Sequence, residues 1–304
     1  MSRVLVSTEA KKGILALGDC LKLLPKLSRQ DPFDLVYLDP PFNAGGSRGA
    51  RQGSGERARG REAYRDEWGG LDGFLSMLGP RLGALEPMLS AHGSVWLHLD
   101  HRAVHDAKVL CDEIFGRSAF RGEVIWVPGN GGRNRKGLSV THQTLLVYAP
   151  KGYIYNGDDP VLREPYAATS LEMHFKNVDE QGRRYRDRMI GGKVYRYYAD
   201  RGRRLGSVWT DCPAMVANTP LRSETTGYPT QKPESLLERI IKASSNPGSR
   251  VLDPMCGSGT TLVVAARLGR RWVGMDRSKV AHQTARARLE DAGHQFITTL
   301  PVTL

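Results

Sequence analysis

Two short stretches of this 304-residue chain hold side chains that could do chemistry. The first is LVYLDPPFN, from Leu35 to Asn43, an apolar run that ends in an acid, two prolines and a ring. An ionised carboxylate accepts hydrogen bonds, and a proline keeps its carbonyl as an acceptor while its ring holds φ at about −65°. Asp39 and the Pro40 carbonyl, stiffened by Pro41, therefore offer two fixed acceptors, and Phe42 offers a face for a flat ring. Two fixed acceptors at one point can hold a donor group and stabilise positive charge that develops on it. Taken alone, the stretch reads equally well as a strand end with a Pro-rich turn.

The second stretch is RVLDPMCGSGTT, from Arg250 to Thr261. A buried strand runs into a turn with Gly257 and Gly259, where the backbone can approach a ligand closely, and a helix follows. Asp276 comes nineteen positions after Gly257, at the end of the next apolar run. An acid about 20 residues on is what takes ribose hydroxyls in nucleotide-binding βαβ units. Leu262 stands where the dinucleotide fingerprint has its third glycine, so a nucleoside without a pyrophosphate fits better than NAD.

The elements that must position these groups are readable as short apolar runs. Ile14–Leu17, Leu35–Leu38, Ser94–Leu99, Arg250–Leu252 and Trp272–Met275 each run into an acid, namely Asp19, Asp39, Asp100, Asp253 and Asp276. Such strands separated by helical patterns predict a mostly parallel α/β sheet with the acids along one rim. GFLSMLGPRLGALEPMLSAHG predicts a helix closed by Gly93, and PESLLERIIKAS predicts an amphipathic helix with Pro233 at its start. Further helices are expected over Gly257–Leu268 and Val280–Leu289, and THQTLLVYAP reads as a hairpin strand late in the sheet.

The net charge of +12 points to a polyanionic partner, and three stretches concentrate the arginines. Residues 44–66 form a Gly-, Ser- and Arg-rich loop without apolar period, expected to be mobile without a ligand. It carries Arg48 and Arg51. GNGGRNRKG carries Arg133 and Arg135 and lacks P-loop spacing, which removes a nucleoside triphosphatase reading. Between Arg183 and Arg204, arginine alternates with tyrosine; Arg183, Arg184, Arg186, Arg188, Arg196 and Arg203 could meet phosphates or base edges. Four scattered cysteines give neither metal-ligand spacing nor a disulfide framework. No run nears the roughly 20 apolar residues of a membrane span, and MSRVLVSTEAKKG lacks a signal-peptide core, so a cytoplasmic protein is expected.

Together, DPPF at Asp39–Phe42 and DPMCGSGTT at Asp253–Thr261 resemble the amino-directed DNA methyltransferases, which methylate adenine N6 or cytosine N4. The order, with the DPPF motif first and the glycine turn last, resembles the permuted β group of that family. GYPTQKPESLLERII, RRWVGMDRS and GDCLKLLPKL resemble further family segments. The resemblance implies a Rossmann-like methyltransferase fold with a mostly parallel sheet, permuted motif order and an inserted target-recognition region. It implies a catalytic half at 1–151, an insert at 152–218 and a cofactor half at 219–304.

It implies catalytic Asp39, Pro40, Pro41 and Phe42. It implies S-adenosylmethionine held by Asp19, Cys20, Thr230, Gln231, Lys232, Asp253, Pro254, Met255, Cys256, Gly257, Ser258, Gly259, Thr260, Thr261, Asp276 and Arg277, with no metal. Thr230 or Lys232, at a helix start, would take the cofactor carboxylate. Double-stranded DNA is the implied partner, with the base flipped out for reaction; a homodimer and a restriction endonuclease are candidate partners. The acid of DPPF is more like adenine-directed members, with cytosine N4 as the alternative and a catalytically silent nucleic-acid binder as a second. Met255 and Phe42 depart from the commoner Phe and Tyr of the family. No Pro-Cys pair is present to support a C5-cytosine mechanism.

Overall fold

The apolar runs become strands because both of their faces are covered. In β2 (Phe33–Leu38), Phe33, Leu35, Val36 and Leu38 are fully buried, and β14 (Arg250–Asp253) is buried along its length. The computed structural model describes residues 13–42, 46–50, 61–129, 131–132, 134–215 and 223–299. Side chains at 47, 48, 50, 61–65 and 299 lie outside that description.

Two compact units are present, one of residues 1–155 with 208–304 and one of residues 156–207. The sequence placed the insert at 152–218. The first unit adds β1 (Gly13–Leu17), β5 (Leu89–Leu99), β6 (Phe120–Trp126), β7 (Gln143–Tyr148), β13 (Val208–Trp209), β15 (Arg271–Asp276) and β16 (Phe296–Thr299). Among the described residues its main sheet runs β13-β6-β7-β5-β2-β14-β15-β1-β16. All neighbours pair in parallel except β7, which is antiparallel to both β5 and β6. This is a mostly parallel Rossmann-like α/β fold. The chain visits it out of spatial order, since β14 and β15 sit between the early strands β2 and β1.

Helices α1 (Cys20–Leu23), α2 (Leu71–Leu85), α3 (Val104–Phe115), α5 (Glu234–Ser244), α6 (Thr260–Arg267) and α7 (Lys279–Asp291) belong to this unit, and α4 (Ala168–His174) to the other. Apolar spacing dictates α5: Leu236, Leu237, Ile240 and Ile241 are buried, while Glu238 and Lys242 pair on its outer face. The buried Trp96 indole of β5 donates to Ser244 Oγ over 2.9 Å, fastening this helix to the sheet. None of the described helices is long and apolar enough to cross a membrane.

Two expected boundaries move. The helix expected to run to Gly93 ends at Leu85, because Pro87 sits in a 3-10 turn and Leu89–His92 already belong to β5. Gly93 instead lets strands meet closely, since a Cβ there would lie 2.6 Å from the Phe33 carbonyl oxygen. Helix α6 begins at Thr260, because Gly257 and Gly259 carry positive φ in the preceding turn. Within the Arg/Gly stretch, β3 (Ser47–Ala50) pairs antiparallel with β4 (Arg61–Arg65). That ladder rests on backbone bonds, which leave no apolar period in the sequence. Residues 51–60 are outside the described residues.

Candidate active site

Parallel strands bring their carboxyl ends to one rim, and that rim is where the acids collect. Asp19, Asp39, Asp253 and Asp276 line one cleft, with Pro40, Phe42 and the turn Pro254–Ser258. Asp100 stands outside the lining and holds Arg102, which does line it.

Asp39 follows β2 directly. Its Oδ2 takes an ion pair from Lys232, and its Oδ1 is buried with no partner among the described residues. Burial raises its carboxyl above the ordinary value; Lys232 pulls it back and Asp66 pushes it up again. Phe42 lies beside this pair, its ring centroid 5.0 Å from the Lys232 ammonium. Beneath it, the Tyr37 hydroxyl lies 2.8 Å from His98 Nδ1, and the His98 ring is 6.0 Å from that of Phe42. Burial, with help from the Lys232 charge, holds His98 well below the usual imidazole range, so it is neutral at pH 7.

Across the cleft, Gly257 (φ 51°) and Gly259 (φ 77°) make the turn into α6. A Cβ on Gly259 would lie 2.8 Å from the Ala285 Cβ of α7, so the glycine permits close helix packing as well as the turn. Asp276 anchors the turn: its Oδ2 accepts from Gly257 N at 2.9 Å and its Oδ1 from Ser278 N at 2.8 Å. Asp253 Oδ1 accepts from Met255 N at 3.2 Å. Burial pushes the Asp253 carboxyl up to about 7, against the Thr261 hydroxyl and the Met255 amide, with Asp39 and Asp276 adding to the rise. Burial also raises the Asp276 carboxyl. A cleft with raised carboxyls, aromatic walls and a glycine turn suits a cationic, nucleoside-sized ligand.

The remaining expected ligands are built in differently. Asp19 caps α1 through Leu21 N at 2.9 Å and pairs with Arg81 at 2.9 Å. Burial pushes the Cys20 thiol up to about 11 and also raises that of Cys256 well above its ordinary value, which makes both poor nucleophiles. Gln231 pins its own loop, accepting from Thr226 N and Oγ1 at 3.0 and 2.7 Å and donating to the Glu224 carbonyl at 2.7 Å. Thr230 sits at φ 59°, a costly conformation for a β-branched residue, with its hydroxyl on the Pro229 carbonyl. Lys232, expected at the cofactor, has its ammonium on Asp39 because a buried carboxylate attracts the nearest cation. Its carbonyl accepts from Thr260 Oγ1 at 3.2 Å, so one residue joins both motifs.

Sequence reasoning missed Tyr37, Asp66, Trp68, Arg102 and Tyr228, which also line the cleft, and His98 behind it. The Arg277 guanidinium lies 5.4 Å from the Trp68 ring centroid. Trp68 stands where the low-complexity stretch ends, and that break in composition is the signal that could have found it.

In the unit of residues 156–207, β10 (Arg184–Ile190) and β11 (Lys193–Tyr198) form a hairpin, with β9 (Asn177–Val178) alongside β10. A separate short pair joins β8 (Arg163–Glu164) to β12 (Arg203–Arg204). Most of the arginines expected to meet DNA have partners here. Arg183 makes two bonds to Asp200 and stacks on Tyr198 at 3.9 Å; Arg196 makes two to Asp187 and stacks on Tyr185 at 3.8 Å. Arg184 bonds the carbonyls of Phe175 and Leu171, Arg186 lies over the Phe175 ring, and Arg203 pairs with Glu164. Arg188 and Lys193 are exposed near the Gly191–Gly192 turn, beside exposed Met189, Ile190, Val194 and Tyr195. Arg135 is exposed in the first unit. Arg51, Arg133 and the side chain of Arg48 lie outside the described residues.

Comparison with known proteins adds four findings. The model of a family described as DNA methylase matches residues 33–287. The chain is 28% identical over 296 residues to the type II methyltransferase M.EcaI of Enterobacter cloacae, across 84% of this chain but 64% of that protein's length. It is 26% identical over 280 residues to the DNA adenine methyltransferase YhdJ of Escherichia coli (strain K12), across 91% and 82% of the two chains. The solved structure of the M1.HpyAVI–SAM complex matches with a TM-score of 0.55 at 20% identity, across 91% of this chain and 98% of the other, a likeness of fold.

Proposed function

Since the chain belongs to the N6/N4 DNA methylase family, we propose that it moves a methyl group from S-adenosylmethionine to adenine N6 in duplex DNA. The observation that carries this reading is the buried Oδ1 of Asp39, unpartnered among the described residues and set in one cleft with the glycine turn and Asp276. S-adenosylmethionine supplies a methyl group on a positively charged sulfonium. In this reading Asp276 takes ribose hydroxyls, the backbone of residues 254–259 gives close contact, and Asp253 and Asp39 favour the cation. Lys232 serves Asp39 instead of the cofactor carboxylate.

An exocyclic amino nitrogen is a weak nucleophile because its lone pair is delocalised into the ring. Asp39 Oδ1 accepts one amino hydrogen and the Pro40 carbonyl accepts the other. The nitrogen becomes pyramidal, and its lone pair forms the N–C bond as the sulfonium's S–C bond breaks to leave a neutral thioether; Asp39 offsets the positive charge on the nitrogen until one of its protons passes to solvent. Phe42 stacks on the base and holds its plane. The amino group is inaccessible in a duplex, so the base leaves the stack at a cost of about a few kcal/mol, offset by protein–DNA contacts.

Those contacts come from the hairpin end in the unit of residues 156–207. Arg188 and Lys193 meet phosphates, while Met189, Ile190 and Val194 press against bases. Arg183 and Arg196, held by Asp200 and Asp187, stiffen the hairpin.

The test uses genomic DNA from a host lacking both marks, expressing either the protein or Asp39→Ala. Nucleosides are quantified by mass spectrometry. N6-methyladenine that is absent in the variant supports the proposal. N4-methylcytosine instead keeps the mechanism and changes the base. Neither mark, from a folded protein that binds S-adenosylmethionine, removes the methyl-transfer reading in favour of a silent binder.

A further inference from the structure

We propose that Lys232 is a positioning residue that keeps Asp39 ionised and orients it, taking Oδ2 so that Oδ1 alone faces the substrate amino group. The inference rests on the reading of Asp39 given above.

The geometry is specific. The two side chains are 8% and 18% exposed, so little water screens the pair. The lysine backbone is fixed from the other motif. Its carbonyl accepts from Thr260 Oγ1, which in turn accepts from Arg288 at 2.8 Å, and Arg288 is paired with Glu234 at 2.6 Å. A side chain so anchored can hold a carboxylate in one rotamer.

The charges around Asp39 explain why a cation is needed there. Asp66 pushes its proton affinity up, and Asp39 and Asp253 oppose each other. Tyr37, Phe42 and His98 are neutral neighbours, His98 in part because of Lys232 itself. Without Lys232 a buried carboxylate among other acids takes up a proton. It then loses the negative charge that offsets the forming cation, and either oxygen can carry the proton. A fixed ammonium beside a nitrogen that becomes positive is unfavourable in itself. Its position is explained by what it does to the acid.

The experiment follows the Asp39 carboxyl directly, by isotope-edited infrared titration of protein carrying 13C-labelled aspartate, with Asp39→Asn as the blank. In Lys232→Met the Asp39 band is expected to titrate roughly one to three pH units higher than in the unsubstituted protein. Lys232→Arg, which keeps the charge, brings the titration back toward that of the unsubstituted protein. In single-turnover methylation the acid limb of the rate profile moves up by the same amount, while cofactor affinity changes less than about twofold. Folding of each variant is checked by circular dichroism, and Lys232→Gln replaces Met if that variant fails to fold. Equal titration of Asp39 with and without the lysine overturns the proposal. So does a pH-independent loss of rate accompanied by weak cofactor binding, which would return Lys232 to the cofactor. A protein that methylates nothing overturns the methyl-transfer reading, while the infrared titration still decides the ion pair.

Discussion

The backbone N–H of Gly257 donates to Oδ2 of Asp276 over 2.9 Å, joining the glycine turn after β14 to the acid that ends β15. The bond makes turn and acid one rigid unit, with the second Asp276 oxygen on Ser278 N. Three expectations follow from this unit and its surroundings, and a fourth from the hairpin of the unit of residues 156–207.

Asp39→Asn keeps the shape of the acid and loses its charge. Methyl transfer in single turnover should fall by about 100- to 1000-fold, the scale for removing one preorganised electrostatic contact. Cofactor affinity by calorimetry should stay within a few-fold. A rate within tenfold of the unsubstituted protein would remove Asp39 from the chemistry.

Asp253 should make cofactor binding pH-dependent. Its carboxyl is pushed up to about 7, so it is neutral in mildly acid solution and charged above that. A cationic ligand favours the charged form, so affinity should rise as pH increases through about 7, with proton release below it. Calorimetry in two buffers of different ionisation enthalpy measures the protons, and Asp253→Asn should abolish the release. Stability of the free protein carries the opposite slope. The folded value lies above the unfolded one of about 3.9, so the contribution is full below that pH and lost as pH rises through about 7.

Gly259→Ala should destabilise the fold. The residue has φ 77°, and the new methyl would meet Ala285 at 2.8 Å. Strain and overpacking together should cost about 1–3 kcal/mol. Thermal unfolding reads this as a lowered Tm, and cofactor affinity should drop with it.

The hairpin should divide its arginines into two kinds. Arg188→Ala with Lys193→Ala should weaken DNA binding across sequences and reduce the slope of log affinity against log salt by about two. Arg196→Ala breaks an ion pair with Asp187 and a ring contact, so it should loosen the hairpin to proteolysis. Fluorescence anisotropy over a salt series separates the two; equal salt slopes for both variants would refute the division.

What the sequence made legible was governed by local chemistry. The apolar runs closing on Asp39, Asp253 and Asp276 follow from strand burial and the rim of a parallel sheet. The partner of Lys232 was not legible, because the pair spans 193 positions and either a cofactor or an acid could claim an ammonium. The engaged state of Arg183 and Arg196 was hidden for a related reason: charge counts do not show which acid a guanidinium meets. Nor was there a sign that Val208–Trp209 would join the sheet edge beside β6, since two residues carry no period. Tyr37 entered the cleft through sheet order, a property of the assembled fold, whereas Trp68 left a trace in the break of composition where the Arg/Gly stretch ends.

The position of β14 and β15 between β2 and β1 has a consequence for the birth of the molecule. On the ribosome β1 and β2 appear well before the strands that separate them, since β2 ends at Leu38 and β14 begins only at Arg250, and the two are not sheet neighbours. For on the order of ten to forty seconds of synthesis, the nascent chain holds an apolar strand with an unclaimed edge. The centre of the sheet closes late, by inserting two strands between those already present, a high-contact-order step that is intrinsically slow. Chaperone dependence of newly made chains should therefore end only when the DPMCGSGTT segment and the strand after it have left the exit tunnel.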